Sequence, residues 1–129
     1  MLAVDTNVVV RYLVIDDDPQ RARATEIVEN GPIFVSVSVI LECEWVLRSV
    51  YGFTRSQIVG AFRGLFGAPG VEVGDAVSVE RAMRLADGGL DLADALHLAQ
   101  AGHCEAFVTF DKALARRAGA RGGIAVRLA

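Results

Sequence analysis

The sequence has few cysteines and no long apolar run, and each shortage excludes a class of protein. Its two cysteines, Cys43 and Cys104, form no CxxC pair and have no histidine at metal-ligand spacing. This excludes a zinc finger and a disulfide scaffold, and it is typical of reduced thiols in a cytoplasmic protein. The longest charge-free stretch, Asn30 to Leu41, is well short of the ~20 residues that a membrane helix needs. The first apolar run contains Asp5 and has no basic leader, so we expect no secretory signal.

Positive charge is also scarce, which limits how the protein could bind nucleic acid. The chain has 13 Lys and Arg against 16 Asp and Glu, for a net charge of -3. Any nucleic-acid contact therefore needs a local basic patch or a metal ion. The 129 residues, 53% of them hydrophobic, predict a single compact domain over residues 1–129. A mean hydropathy of +0.39 is high for a monomer of this size, so we expect a partner to cover some apolar surface.

Short apolar segments alternate with helical segments along the whole chain. The predicted strands are Leu2–Val4, Ile33–Val35, Val71–Val73, Ala106–Thr109 and Ile124–Arg127. The predicted helices are Val8 to Ile15, Gln20 to Glu29, Ser36 or Ser38 to about Tyr51, Thr54 to Gly67, Asp75 to Asp87, Asp91 to Gly102, and Lys112 to Ala118. This alternation indicates an α/β fold, a three-layer α/β/α sandwich with a central parallel sheet. Ligands of such sheets bind beyond the carboxyl ends of the strands.

Acidic residues stand near the ends of these predicted strands. Asp5 directly follows the first strand, and Asp111 follows the fourth by two residues, while Asp91 and Asp94 begin the helix before the fourth strand. Each acid alone also fits a plain role as a helix cap or a turn residue. Two carboxylates 4 Å apart repel by about 4 kcal/mol at an effective dielectric of 20, so a cluster needs a proton or a cation. All-oxygen ligands suit Mg²⁺ or Mn²⁺, which predicts metal-assisted phosphodiester hydrolysis if the acids converge.

Helical geometry separates the two glutamates of the helix after the second strand. Glu42 lies at the margin of an apolar quadrant, where it can point into a cleft. Glu44 lies on the opposite side, four residues before Arg48, at the spacing of a surface ion pair. We therefore assign Glu42 to function and Glu44 to solvent. The apolar quadrant comprises Val39, Cys43, Val46 and Val50.

The residues around these acids resemble a PIN-domain ribonuclease of the VapC toxin type. The resemblance covers nearly the whole chain, in the family's order and at its usual spacing. The matching stretches are Val4-Asp5-Thr6-Asn7-Val8, Leu41-Glu42-Cys43-Glu44-Trp45-Val46-Leu47, Asp94-Ala95-Leu96-His97-Leu98-Ala99-Gln100-Ala101 and Val108-Thr109-Phe110-Asp111-Lys112.

The resemblance implies a metal-dependent endoribonuclease that acts as the toxin of a toxin–antitoxin pair. It implies a Mg²⁺ or Mn²⁺ ion held by a catalytic acidic quartet, which falls on Asp5, Glu42, Asp94 and Asp111. It also implies supporting polar positions, which fall on Asn7, Thr109 and Asp91. Such proteins are usually homodimers that a cognate antitoxin inhibits by covering the catalytic groove. Since no quartet position is lost, we expect an active enzyme; the alternative is a catalytically silent PIN-like module that binds RNA or protein.

Three further features have two interpretations each. Lys112, Arg116 and Arg117 could form a local patch for RNA phosphates or a solvated helix face. His97, one turn beyond Asp94, fits a core or supporting role better than that of a metal ligand. A concentration of aromatic residues indicates either a dimer or antitoxin surface or core packing. These aromatics are Trp45, Tyr51, Phe53, Phe62 and Phe66.

Overall fold

Parallel strands alternate with helices throughout the computed structural model, which describes residues 1–119, 121 and 123–129. The elements, in chain order, are β1 (Leu2–Ala3), α1 (Thr6–Leu13), α2 (Gln20–Glu29), β2 (Ile33–Val35), α3 (Val37–Ser49), α4 (Arg55–Phe66), β3 (Val71–Val73), α5 (Ala76–Asp87), α6 (Leu92–Gln100), β4 (Ala106–Thr109), α7 (Lys112–Ala118) and β5 (Ala125–Leu128). The types and order of the elements are those that the sequence predicts. The chain divides into two compact units, Met1–Ala76 and Val77–Ala129.

The first unit contains a three-stranded parallel sheet in the order β1-β2-β3. Leu2 pairs with Ile33, and Ile33 pairs with Val71. Since parallel neighbours cannot be joined by a tight turn, helices make both connections. The central strand is buried at Ile33 and Val35, as expected for a strand with both faces covered. The largest fully buried side chains of this unit also include Ile40, Leu47, Ile58, Phe62 and Leu65.

The second unit contains the parallel pair β4 and β5, joined through α7. The register runs from Ala106 opposite Ala125 to Thr109 opposite Leu128. Helices α5 and α6 contribute the large buried side chains of this unit, Met83, Leu96 and Leu98. None of the helices in the described part of the chain is both long and apolar enough to cross a membrane.

Side-chain caps place the starts of several helices where the sequence predicts them. The Ser36 hydroxyl accepts a hydrogen bond from the Val39 amide at 3.3 Å and begins α3. Thr54 and Gln57 form the predicted capping box at the start of α4. After α3, the chain turns at Gly52, whose φ of 69° is a conformation that glycine adopts without strain. These local signals fix α3, and with it the position of Glu42.

The buried face of α3 differs from the predicted one. The buried residues are Ile40, Cys43, Glu44 and Leu47, whereas Val50 is exposed. The assignment of Glu44 to solvent is therefore wrong: only 3% of its surface is exposed. The predicted ion pair does form, with Arg48 Nε 2.8 Å from Glu44 Oε1. The prediction relied on the spacing of apolar residues alone. It was wrong because Arg48, one turn later, pairs with the Glu44 carboxylate and allows it to occupy the buried face.

Candidate active site

The first candidate acid stands where β1 leads into α1. Asp5 is the N-cap residue of α1, and its Oδ1 accepts a hydrogen bond from the Thr6 amide at 2.7 Å. A carboxylate at this position is stabilised by the partial positive charge of the helix N-terminus. The alternative for Asp5 was a turn residue at the end of the strand, with Thr6 or Asn7 as the cap; the structure makes Asp5 itself the cap and places Thr6 and Asn7 inside α1. The side chain remains exposed, so capping leaves it accessible to a ligand.

Asp5 and Glu42 line the same cleft, which has a volume of about 390 Å³. Glu42 is exposed on α3, so the prediction that it points into a cleft is confirmed. Asn7, a predicted supporting residue, lines the cleft as well. The remaining lining residues are Thr6, Val10, Arg11, Val46, Val50 and Tyr51. Three predicted site residues of the first unit thus share one cleft.

Arg11 lines this cleft and was not predicted as a site residue from the sequence. Arg11 Nη2 donates a hydrogen bond to the Tyr51 hydroxyl at 3.0 Å. Its Nη1 lies 3.0 Å from Asp18 Oδ2 and 3.8 Å from Asp16 Oδ2. The available signal was its spacing, because a residue four positions after Asn7 lies on the same face of α1. The loop that contains Asp16 and Asp18 therefore holds the Arg11 guanidinium at the wall of the cleft.

The two carboxylates create a negative potential that is felt inside the protein. Cys43 is fully buried, with its Sγ 3.8 Å from the Thr6 carbonyl oxygen. Burial is the main cause that raises the pKa of the Cys43 thiol to about 12, and the charges of Glu42 and Asp5 raise it further. The same negative charges that disfavour a thiolate favour a cation in the cleft.

Two more candidate acids stand at the start of α6, in the second unit. Asp91 is the N-cap residue of α6, is exposed, and makes no side-chain capping hydrogen bond. Asp94 is half-buried in the first turn. His97 is exposed and stacks on Phe107 with 6.5 Å between ring centroids. The core half of its interpretation is therefore wrong, and the supporting role stays a prediction. The ring of Phe107 supplies apolar contact for the imidazole on the surface.

The last candidate acid is held by its close neighbours in sequence. Asp111 caps α7, with its Oδ1 accepting from the Leu114 amide at 2.9 Å. Its own amide donates to the Thr109 hydroxyl at 3.0 Å. Thr109 ends β4, so the strand positions the backbone of Asp111 directly. A supporting role for Thr109 agrees with this contact.

The donor chemistry of these acids fits Mg²⁺ or Mn²⁺, because both ions prefer carboxylate oxygens. The first unit brings two such carboxylates, Asp5 and Glu42, to one cleft. Within residues 1–119, 121 and 123–129, no group of three or more His, Cys, Asp or Glu side chains is arranged to hold a metal ion. The convergence of the full quartet on one ion stays a prediction.

The predicted aromatic surface between positions 45 and 66 divides into residues with different environments. Phe62 is fully buried and stacks on Phe66 with 5.5 Å between ring centroids. Tyr51 lines the acidic cleft, whereas Trp45 is 55% exposed on α3. Core packing therefore explains Phe62, and Trp45 remains available to a partner.

The sequence matches the PIN domain family over residues 2–120, which is most of the chain. The protein therefore belongs to the PIN domain family. PIN domains are generally nucleases, and the parallel strands and seven helices found among the described residues agree with the α/β fold of the family. Among curated proteins, none matches the sequence.

Proposed function

We propose that the protein is a metal-dependent endoribonuclease and the toxin of a toxin–antitoxin pair. The observation that supports this most directly is the cleft that Asp5 and Glu42 share. Two exposed carboxylates at one cleft repel each other, and a divalent cation would remove that repulsion. Membership of the PIN domain family, whose members are generally nucleases, supports a phosphodiester substrate, and the resemblance to VapC-type ribonucleases favours RNA.

The proposed roles of the acids follow from the resemblance to VapC-type ribonucleases. Asp5 and Glu42 would hold Mg²⁺ or Mn²⁺, with Asp94 and Asp111 completing the quartet. When bound, the ion polarises a phosphoryl oxygen and makes water a nucleophile at neutral pH. The cap hydrogen bond fixes the orientation of Asp5, and the hydroxyl of Thr109 fixes the backbone of Asp111.

Arg11 has a separate role in this proposal. Its guanidinium lies at the wall of the cleft and is held by Tyr51 and Asp18. A cation held in place before the substrate binds loses little conformational entropy when it contacts a phosphate. Arg11 would therefore attract and orient the negative RNA backbone beside two carboxylates that otherwise repel it.

The proposed partners are the cognate antitoxin and a second copy of this chain. Several large apolar side chains are exposed, including Trp45 and Val50 on α3 and Phe110 beside Asp111. Val50 also lines the acidic cleft. An inhibitor that covers the cleft would bury this valine and gain hydrophobic stabilisation from it.

The test is cleavage of a mixed tRNA and ribosomal RNA pool by the purified chain, with Mg²⁺, with Mn²⁺ and with EDTA. We expect cutting with either ion and none with EDTA. Glu42→Gln removes one charged ligand, so we expect the rate to fall by about 10²-fold or more, several kcal/mol in the barrier. Glu72→Gln is the matched control, because Glu72 is an exposed carboxylate on β3 outside the cleft. It should cut like the wild type.

Three results would contradict parts of the proposal. Equal cutting by Glu42→Gln and the wild type would remove Glu42 from the site. Cutting that survives EDTA would overturn the metal dependence. RNA binding without cutting under all conditions would favour the silent binding module. For the toxin role, we expect the wild-type chain, but not Glu42→Gln, to stop the growth of a bacterial host when expressed at equal levels.

A further inference from the structure

A second cavity, in the unit Val77–Ala129, is lined by arginines. It has a volume of about 320 Å³, and its described lining comprises Gly88, Gly89, Leu90, Arg116, Arg117 and Arg121. None of these lining residues is acidic. We propose that Arg116, Arg117 and Arg121 form a binding site for the backbone phosphates of single-stranded RNA. This inference rests on the proposed ribonuclease function.

The cavity is lined by two segments of the chain, one with Gly88, Gly89 and Leu90 and the other with the three arginines. Arg116 and Arg117 occupy the last turn of α7, and Arg121 follows the helix. Arg121 Nη1 donates to the Gly88 carbonyl oxygen at 2.9 Å, which anchors one end of its guanidinium at the cavity. An anchored guanidinium has several further N–H groups to offer to a ligand. This anchoring favours a formed site over a set of loose surface charges.

The backbone at the cavity leaves ligand recognition to the side chains. The amide of Gly88 donates to the Arg84 carbonyl oxygen at 3.1 Å, and the amide of Leu90 donates to the Leu85 carbonyl oxygen at 3.2 Å. Both donors are therefore used within the protein. Among the described lining residues, the guanidinium groups remain as donors to a ligand, and their forked geometry suits phosphate oxygens.

Charge balance also points to an anionic ligand. Arg116 and Arg117 are exposed, and neither forms an ion pair with an acid in the part of the chain that the structure describes. Arg116 and Arg117 also interact favourably with the negative end of the α7 dipole. This interaction does not explain why Arg121 lines the same cavity. Three cations around one cavity repel each other, and a polyanion removes that repulsion.

Helix α7 connects this cavity to the proposed catalytic residue Asp111. Asp111 caps the helix, and Arg117 lies six residues later, about 9 Å along the axis at ~1.5 Å per residue. A short single strand can therefore contact the arginines while a neighbouring phosphodiester lies at Asp111. Lys112, which the sequence analysis grouped with Arg116 and Arg117, does not line the cavity.

The test measures the binding of a fluorescent single-stranded RNA in EDTA, so that no cleavage is needed. We expect the double variant Arg116→Ala, Arg117→Ala to bind about tenfold more weakly. In a plot of the logarithm of the binding constant against the logarithm of the salt concentration, the slope should be shallower by about 1.4. Each phosphate contact to a single strand contributes about 0.7 to this slope, and the variant lacks two arginines. Arg81→Ala with Arg127→Ala is the matched control, because both arginines are exposed in the same unit and do not line the cavity. Circular dichroism checks that each double variant is folded.

The outcomes distinguish this inference from the proposed function. Equal losses in both double variants would indicate a general charge effect and overturn the site. Unchanged RNA binding by the Arg116, Arg117 variant would also overturn it, while metal-dependent cutting by the wild type would leave the ribonuclease function standing. Binding of a polyglutamate peptide is measured in the same way. If the Arg116, Arg117 variant loses binding to this peptide but not to RNA, the RNA assignment is overturned in favour of an acidic protein ligand. A selective loss of RNA binding in a chain that cuts nothing would support the site and contradict the nuclease.

Discussion

The two units differ in how some of their charged side chains are held. In the unit Met1–Ala76, Glu44 is buried against Arg48, and half-buried Arg11 contacts Tyr51, forty residues away in sequence. In the unit Val77–Ala129, Asp111 is held by Thr109 and Leu114, only two and three residues away. Charges shielded from water interact more strongly than exposed ones. Substitutions that remove a partner from these shielded charges of the first unit should therefore cost more than the removal of an exposed hydrogen bond in the second.

The largest effect is expected for Arg48→Ala in α3. This change leaves the Glu44 carboxylate, which is 3% exposed, without its partner at 2.8 Å. Because a buried charge without a partner carries its desolvation cost, we expect a loss of about 1–3 kcal/mol in the free energy of unfolding. Urea unfolding measures the difference.

Arg23→Ala is the matched control for that prediction. Arg23 also pairs with a glutamate on its own helix, Glu26, at 2.7 Å, but both side chains are mostly exposed. Exposed pairs of this kind contribute about 0.5 kcal/mol or less, so the control should change the free energy of unfolding little. Equal losses in the two variants would show that burial of Glu44 does not set the strength of its ion pair.

A smaller effect is expected for Tyr51→Phe, which removes the hydroxyl that accepts from Arg11. We expect a loss of about 1 kcal/mol, below the ~1.5–3 kcal/mol of a shielded hydrogen bond to a charged group, because Arg11 is only half-buried. The proposed role of Arg11 adds a second expectation, a higher KM for RNA with kcat nearly unchanged. Tyr12→Phe is the control, because the Tyr12 hydroxyl has no hydrogen-bond partner within the described residues. A normal KM in Tyr51→Phe would show that Arg11 does not need this contact.

The contrast between the units also explains what could be predicted from the sequence. The capping box at Thr54 and the cap at Asp111 depend on residues within one turn, so their spacing revealed them. Glu42 was predicted to face a cleft from its position at the margin of the apolar quadrant, and it does line one although Val50 of that quadrant is exposed. The contact of Arg11 with Tyr51 depends on packing between distant segments, which no local pattern encodes. Glu44 was misplaced because a charged residue was assigned to water by type alone.

The cavity of arginines shows the same limit in the second unit. Arg116 and Arg117 were recognised as a basic pair because they are adjacent in sequence. Arg121 was missed, since its place at the cavity depends on a hydrogen bond to Gly88, thirty-three residues earlier. Sequence patterns therefore identified the charges of Arg116 and Arg117 but not the contact that brings Arg121 to the same cavity.

The smallest effect is expected for Thr109→Val, which removes the hydroxyl that accepts from the Asp111 amide while keeping the shape of the side chain. Because this hydrogen bond is exposed, we expect a loss of about 0.5 kcal/mol, with a small fall in the cleavage rate. Thr25→Val is the matched comparison in the first unit, since Thr25 Oγ1 is buried without a hydrogen-bond partner among the described residues. Removing that hydroxyl should leave the protein equally stable or more stable. A larger loss in Thr25→Val than in Thr109→Val, measured by urea unfolding, would contradict both assignments.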